Sequence, residues 1–352
     1  MEKSPRTSSP NKNSLLGGVL IKKNLKCCWV ITDGSAGMEN QAWGLSESLG
    51  YQTLIKRVHI RQPWLFFSPY LQYNLKYCLA KKSAPITPPW PDLVIACGRR
   101  SILPSLYIKK ASQGQTPIIY LQNPKISPKK FDIIVCPAHD KLQGPNVIHT
   151  IGAPHRVTEE KLLAHHKKFK DIFSKYPGPR YSILIGGPNK VYHFSKKLAY
   201  KIAQDLKSLQ KKDKASLLIT FSRRTPAACI EIFHSVFKET PRVYMWNFTG
   251  ENPYFALLSW GDAIILTCDS ISMISEACFT TKPVYLISLP GSAGKFNLFY
   301  KELLKIDRIS WFNGQINTDV RKPFKEATSI KNNVQKMLET VLENPISYKD
   351  TS

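Results

Sequence analysis

Acidic residues are scarce in this 352-residue chain, where 25 Asp and Glu face 50 Lys and Arg for a formal charge of +25. No apolar run approaches the roughly 20 residues that a membrane-spanning helix needs, and the opening "MEKSPRTSSPNKNSLLGG" has no apolar segment of a secretory signal. The eight cysteines form no CxxC pair and no metal-ligand spacing. They sit inside apolar runs such as "CCWVIT" and "DIIVC", which argues against structural zinc and for a reduced, intracellular chain. GxGxxG and Walker spacings are missing, so nothing supports a nicotinamide dinucleotide. Zinc-finger spacing, an RNP-like aromatic strand and a basic-region heptad are missing too, so the positive charge does not point to nucleic acid. A basic field of this size suits anionic lipid or phosphorylated substrates, and solvated lysines explain it equally well. It leans to the first half, with 26 Lys and Arg against 10 Asp and Glu in residues 1–176 (+16) and 24 against 15 in residues 177–352 (+9).

What is present is a series of short runs apolar on both faces: "CCWVIT", "DLVIAC", "TPIIYL", "FDIIVC", "YSILIG", "SLLITF", "DAIILT" and "KPVYLI". Longer amphipathic stretches lie between them, including "ENQAWGLSESLG" and "FSKKLAYKIAQDLKSLQKK". Strands buried on both faces and alternating with helices imply an α/β protein with doubly wound parallel sheets. The alternation breaks once, where a charged helical stretch ends in Pro177, Gly178 and Pro179. We therefore expect a tail over residues 1–24, a Rossmann-like half over 25–157, a linker helix over 158–180 and a second Rossmann-like half over 181–324. A C-terminal helix and tail over 325–352 should pack near the junction.

In open α/β sheets ligands sit beyond the carboxyl ends of the strands, so the residues that follow each strand carry the chemistry. "TDGSAGMENQ" places Gly34 and Gly37 in a strand-to-helix turn where backbone amides can approach a ligand, with Asn40 and Gln41 beside them and Asp33 and Glu39 as candidate bases. A tight turn with solvated neighbours accounts for the same residues. "GGPNK" repeats the pattern with Gly186, Gly187, Asn189 and Lys190. "SRRTP" offers Ser222, Arg223 and Arg224, with Thr225 as the expected helix cap and Pro226 in the first turn; guanidinium recognition of a diphosphate and a solvated pair are both open. "LTCDSISMISEACF" interrupts an apolar run with Asp269, Ser270, Ser272, Ser275 and Glu276. A helix beginning at Ser270 would offer its N-terminus and hydroxyls to a pyrophosphate and Glu276 to the hydroxyls of a ribose. The bland alternative is a capped helix whose serines bond their own backbone.

Taken together, "WNFTGENPYFALLSWGDAIILTCDSISMISEA", "QNPKISPKKFDIIVCPAHD", "GPNVIHTIGAPHRVT", "GGPNK" and "SRRTP" resemble the Elm family of mitochondrial-fission-type proteins, which has bacterial members, over nearly the whole chain from Cys28 onward. The resemblance implies a GT-B-like arrangement: two facing Rossmann-like domains with an inter-domain cleft for a nucleotide sugar. Plant members act as peripheral adaptors that recruit a dynamin-related GTPase, whereas bacterial members look like glycosyltransferases. "TDGSAGMENQ" resembles the bacterial form, except that Met38 stands where those relatives commonly carry histidine. Lys282 likewise departs from the usual glycine.

These readings converge on one expectation. A nucleoside-diphosphate sugar would be the donor substrate, with no further cofactor and no metal, held by Gly186, Gly187, Asn189, Ser222, Arg223, Asp269, Ser270, Ser272, Ser275 and Glu276. The acceptor would sit near Gly34, Gly37, Asn40 and Gln41, with Asp33 or Glu39 as catalytic base, while helix dipole and guanidinium stabilise the departing diphosphate. The aromatic run "PWLFFSPYLQYNLKYCLAKK" is read either as a core helix or as a segment resting on an anionic bilayer. The expected location is cytoplasmic, peripheral on the inner face of the membrane. The alternative function is a non-catalytic adaptor with a protein partner.

Overall fold

The computed structural model describes residues 26–291 and 294–343. The tail expected over residues 1–24 and the end of the chain past residue 343 lie outside the described residues. Two six-stranded sheets, parallel throughout, make up the frame. The first is built from β1 (Cys27–Thr32), β2 (Gln52–Arg57), β3 (Leu93–Cys97), β4 (Ile118–Leu121), β5 (Ile133–Pro137) and β6 (Val147–Thr150), in the order β2-β1-β3-β4-β5-β6. The second contains β7 (Arg180–Ile185), β8 (Ser216–Phe221), β9 (Val243–Met245), β10 (Ala263–Thr267), β11 (Val284–Ile287) and β12 (Ile309–Trp311), in the order β12-β11-β10-β7-β8-β9. In both sheets the first strand in sequence lies inside, so each half changes winding direction beside its own first strand. That change opens a crevice at the carboxyl ends of the strands.

Both faces of each sheet are covered, which is why the strands read as unbroken apolar runs. In the first sheet Cys28 and Val30 of β1 pack into one cluster with Ile95 and Leu121, while Trp29 and Ile31 pack into another with Val94 and Tyr120. The second half has one large core that includes Ile183, Ile219, Ile265 and Leu286. The C-terminal helix, Glu326–Glu343, starts where Glu326 accepts the N–H of Ile151 at 2.8 Å. Its body then returns to the first half: Ile330, Val334 and Leu338, four residues apart, join the cluster of the first sheet on the side of β5 and β6.

The aromatic run departs from the core-helix expectation. It folds as a single helical turn, Trp64–Phe67, and a 3-10 turn, Leu75–Tyr77. Trp64, Leu65, Leu75 and Leu79 close over a small cluster around Ile60, Cys78 and Leu103, leaving the remaining rings outside. The proline spacing explains the absence of a helix, since Pro63 and Pro69 stand six residues apart.

Candidate functional site

On the first half the site is the turn between β1 and the helix Ala36–Ser48. Gly34 adopts φ +88°, a conformation glycine takes without strain, and its N–H donates to Thr32 Oγ1 at 3.2 Å. The N–H of Ser35 donates to Asp33 Oδ1 at 3.0 Å, and Arg100 stands 3.7 Å from the other Asp33 oxygen. Glu39 is buried and both its oxygens are taken by Arg57, at 2.9 and 2.8 Å, in a planar fork. Of the two carboxylates, Asp33 is thus the one with an oxygen not bound in a fork. Met38 lies against Gly98 at the end of β3.

On the second half the donors at the strand ends are knitted together. Asp269, buried, accepts from Thr267 Oγ1 at 2.6 Å, from the N–H of Gly187 at 3.1 Å and from Arg224 Nη2 at 2.6 Å. Thr267 Oγ1 also accepts the N–H of Gly186 at 2.7 Å. A β-carbon on Gly186 would stand 2.1 Å from Asp269 Oδ1, and one on Gly187 would stand 2.3 Å from the carbonyl oxygen of Arg224. The two glycines are therefore there for close packing, and their amides are already bonded. This corrects the reading of "GGPNK" as an open amide cradle. Asn189 likewise turns inward, accepting from the N–H groups of Val191 and Tyr192 and donating to the carbonyl of Asp269 at 3.0 Å.

The arginine pair divides its work. Arg224 reaches back to Asp269 and to the carbonyls of Gly187 and Pro188, while Arg223 is exposed with no hydrogen-bond partner among the described residues. Thr225 does not cap the following helix. Its hydroxyl donates to the carbonyls of Ile185 and Gly186 and meets Ser222 Oγ at 3.2 Å, tying the loop to the end of β7. Pro226 takes the N-cap position of Ala227–Phe237 in its place.

The helix Ile271–Phe279 follows β10 with Ser270 as its cap, the side chain accepting the N–H of Met273 at 3.3 Å. Ser272 Oγ accepts from Gln41 Nε2 at 2.9 Å, so the second turn of the first site helix touches the first turn of the other, one helix from each half. Gly37 faces the same Ser272 hydroxyl, and Asn40, the residue before Gln41, is half-exposed. Ser275 Oγ accepts the N–H of Ala153 at 3.1 Å, from the segment connecting the halves. Burial pushes the Glu276 carboxyl up to about 7, against a hydrogen bond from Tyr254 Oη and the charge of Arg156. Tyr254 is partly buried, and the burial of its hydroxyl together with the facing Glu276 carboxylate holds it well above the ordinary phenol range.

Arg156 ties the connecting segment to the first half, gripping Glu47 through Nε at 3.1 Å and Nη2 at 3.0 Å and lying 3.5 Å from the centre of the Trp43 ring. Beside it His155 stacks edge-on to Phe279, and burial lowers its imidazole to about 4. A cavity of about 540 Å³ lies here, lined by Glu47, His155, Arg156, Lys325 and Lys331 among others. None of the sequence-predicted site residues lines it, so the chemistry and this cavity are separate places. Among the described residues no group of three or more His, Cys, Asp or Glu is placed to hold a metal ion.

Sequence reasoning missed four partners: Arg57, Thr267, Tyr254 and the inward turn of Arg224. Arg57 ends an edge strand close to "MEN" and could have been paired with Glu39 from the βαβ geometry; Tyr254 carries no sequence signal, standing on a different helix from Glu276.

Residues 36–338 match the family model described as Mitochondrial fission ELM1. The chain belongs to that family. Two relatives place this Elm-family member further. It is 30% identical over 247 residues to the Mitochondrial fission protein ELM1 of Arabidopsis thaliana, a match covering 64% of this chain and 58% of the plant protein. It is 27% identical over 343 residues to an uncharacterized protein of Rickettsia prowazekii, covering 86% of this chain and 96% of that one. Among solved structures, the Methanocaldococcus jannaschii UDP-GlcNAc 2-epimerase in complex with UDP-GlcNAc and UDP superposes with a TM-score of 0.51 at 11% identity, over 90% of this chain and 100% of that one. The S. aureus MnaA structure with UDP gives 0.51 at 12% identity, over 93% and 100%. At such identities the likeness is one of fold, and the fold is GT-B-like: two facing Rossmann-like domains with a crevice between them.

Proposed function

We propose that this Elm-family protein is a glycosyltransferase that binds a nucleoside-diphosphate sugar in its crevice and passes the sugar to an acceptor on the first half. The observation that carries this reading is the meeting of two helix N-termini, Ala36–Ser48 and Ile271–Phe279, across the carboxyl ends of two parallel sheets. Each helix start carries partial positive charge and amides without intrahelical acceptors. Ser270 takes the N–H of Met273, so Ile271 and Ser272 supply the amides a bound diphosphate would meet. Exposed Arg223 and Lys190 stand on the loops flanking that helix start.

In the transfer, an acceptor hydroxyl attacks the anomeric carbon as the bond from that carbon to the diphosphate oxygen breaks. The acceptor's proton passes to Asp33, and the electron pair leaves with the diphosphate, stabilised by the amides and Arg223. Glu276 would exchange its Tyr254 contact for the ribose hydroxyls, a trade between neutral donors that a carboxyl near pH 7 can make. Glu39 serves by fixing Arg57 beside Gly34.

A second reading has its own support. Asp269, Ser270, Ser272, Ser275 and Glu276 all have partners within the chain already, as a crevice retired from catalysis would. On that reading the protein is a peripheral adaptor recruiting a dynamin-related partner.

Thermal melting against a panel of nucleotides and sugar nucleotides separates the two. A ligand at a hundredfold excess over its Kd stabilises by about 2.7 kcal/mol, and Arg223→Ala, which breaks no internal contact, should weaken that binding about tenfold. A melting temperature unmoved by every nucleotide at millimolar concentration leaves the adaptor.

A further inference from the structure

We propose that the exposed aromatic loop of the first half is a docking surface for an anionic phospholipid bilayer. Phe66, Phe67, Tyr70, Tyr73 and Tyr77 are between 52% and 75% exposed, a density of bare rings that a solvated surface does not ordinarily carry. The loop is not loose chain. Trp64 Nε1 donates to the carbonyl of Tyr73 at 2.8 Å, and Ile60 pairs with Leu79 across its base. Arg99 fastens it from the end of β3, donating to the carbonyl of Ser68 at 2.6 Å and facing that of Phe66 at 3.4 Å. The rings are thus presented on a fixed frame, which lowers the ordering cost of binding.

Charge selects the occupant. From Tyr51 to Phe131 the chain carries 13 Lys and Arg and one acidic residue, Asp92. Four of those cations touch the loop itself: Arg61 lies over Trp64, Lys76 over Tyr77, Arg99 holds the backbone as above, and Lys130 donates to Gln72. Exposed Lys81 and Lys82 follow directly. Amphipathic rings ringed by cations fit the interface of an anionic membrane, where tyrosine and phenylalanine enter the headgroup boundary and lysine meets lipid phosphate. Single-stranded nucleic acid needs ring faces open as successive stacking platforms. Phe66 and Phe67 instead pack edge to face against each other, with centroids 5.0 Å apart at 83°.

The loop and the crevice share a wall: Arg99 holds the loop, and its neighbour Arg100 stands by Asp33. If the chain is a transferase, this puts the acceptor side of the crevice against lipid. The docking itself does not rest on that reading.

Flotation of the full chain with vesicles of three parts phosphatidylcholine to one part phosphatidylglycerol tests it, without nucleotide. The protein should float with these vesicles, stay largely unbound to pure phosphatidylcholine, and be released by high salt. Phe66→Ser with Phe67→Ser should lower partitioning about tenfold, and Lys81→Glu with Lys82→Glu by at least as much, since each cation near an anionic surface contributes about fivefold. All four side chains are exposed, and an unchanged melting temperature verifies the fold of each variant. Equal binding to neutral vesicles overturns the proposal, as does undiminished flotation of the serine variant. Capture of an oligonucleotide or a protein through these rings by a chain that ignores the vesicles overturns it too.

Discussion

The turns after β1 and β7 hold equivalent places, each ending the first strand of its sheet, and both look alike as glycine-bearing strand-to-helix turns. Their glycines serve different ends. Gly34 is needed for its positive φ and has its nearest neighbour, Arg57 Cδ, 3.7 Å from where a β-carbon would stand. Gly186 and Gly187 are needed because a carboxylate and a backbone carbonyl approach within 2.1 and 2.3 Å of that position. One turn leaves open space beside its glycine; the other is internal masonry, fixing Asp269, Arg224 and Thr225 around the start of the second site helix.

Alanine at the two places breaks the comparison most sharply. Gly187→Ala should destabilise by about 3–4 kcal/mol, because the obstacle is backbone and cannot rotate away. Gly34→Ala should cost about 1 kcal/mol, the ordinary penalty of a left-handed conformation with open space around it. Urea denaturation of both variants checks this, and equal losses would mean that the two turns are built alike.

The same distinction marks what a reader of the sequence can and cannot see. Eight strands were legible from runs apolar on both faces. The four that were not, β2, β6, β9 and β12, are the four sheet edges, where one side is partly solvated and the residues are mixed, as in "QTLIKR" and "VIHT". The cap at Ser270 was legible because capping is local chemistry. The inward bonds of Gly187, Asn189 and Arg224 were not, because Asp269 lies 82, 80 and 45 residues away from them, and only tertiary approach decides which of several donors it takes. Thr225 gave a cap signal that tertiary contact overrode: the carbonyl of Gly186 at 2.6 Å is a better-placed partner than the helix amides.

Glu39 and Glu276, one buried carboxylate from each half, are also kept differently. Glu39 is buried against a guanidinium, whereas Glu276 is buried against a phenol and carries its proton up to about pH 7. Between an ordinary 4.5 and about 7 the folded state holds a proton that the unfolded chain has released, so wild-type stability falls as pH rises through that window. Glu276→Gln has no charge to bury and keeps an oxygen for Tyr254. It should match the wild type near pH 4.5 and exceed it at pH 8 by up to about 3 kcal/mol, the free energy spanned by that difference in pKa. His155, lowered to about 4, acts in the opposite sense, its contribution being lost as pH falls from 6.5 towards 4, but it is common to both chains and cancels in their difference. A gap that stays constant from pH 5 to pH 8 would contradict the burial argument.

The smallest effect comes from a bond that joins the two site helices. Gln41→Ala removes the 2.9 Å contact to Ser272 and should lower stability by about 1 kcal/mol. Its value lies in a second readout of opposite sign. If Ser272 belongs to a diphosphate site, freeing its hydroxyl and widening the approach should raise nucleotide affinity several-fold even as the unliganded protein melts earlier. If the contact merely fastens one half to the other, the variant melts earlier and nucleotides leave it unmoved. Melting curves of the Gln41→Ala protein with and without nucleotide therefore ask whether the crevice is held closed by side chains a ligand must displace, and they do so at a position whose loss leaves both cores intact.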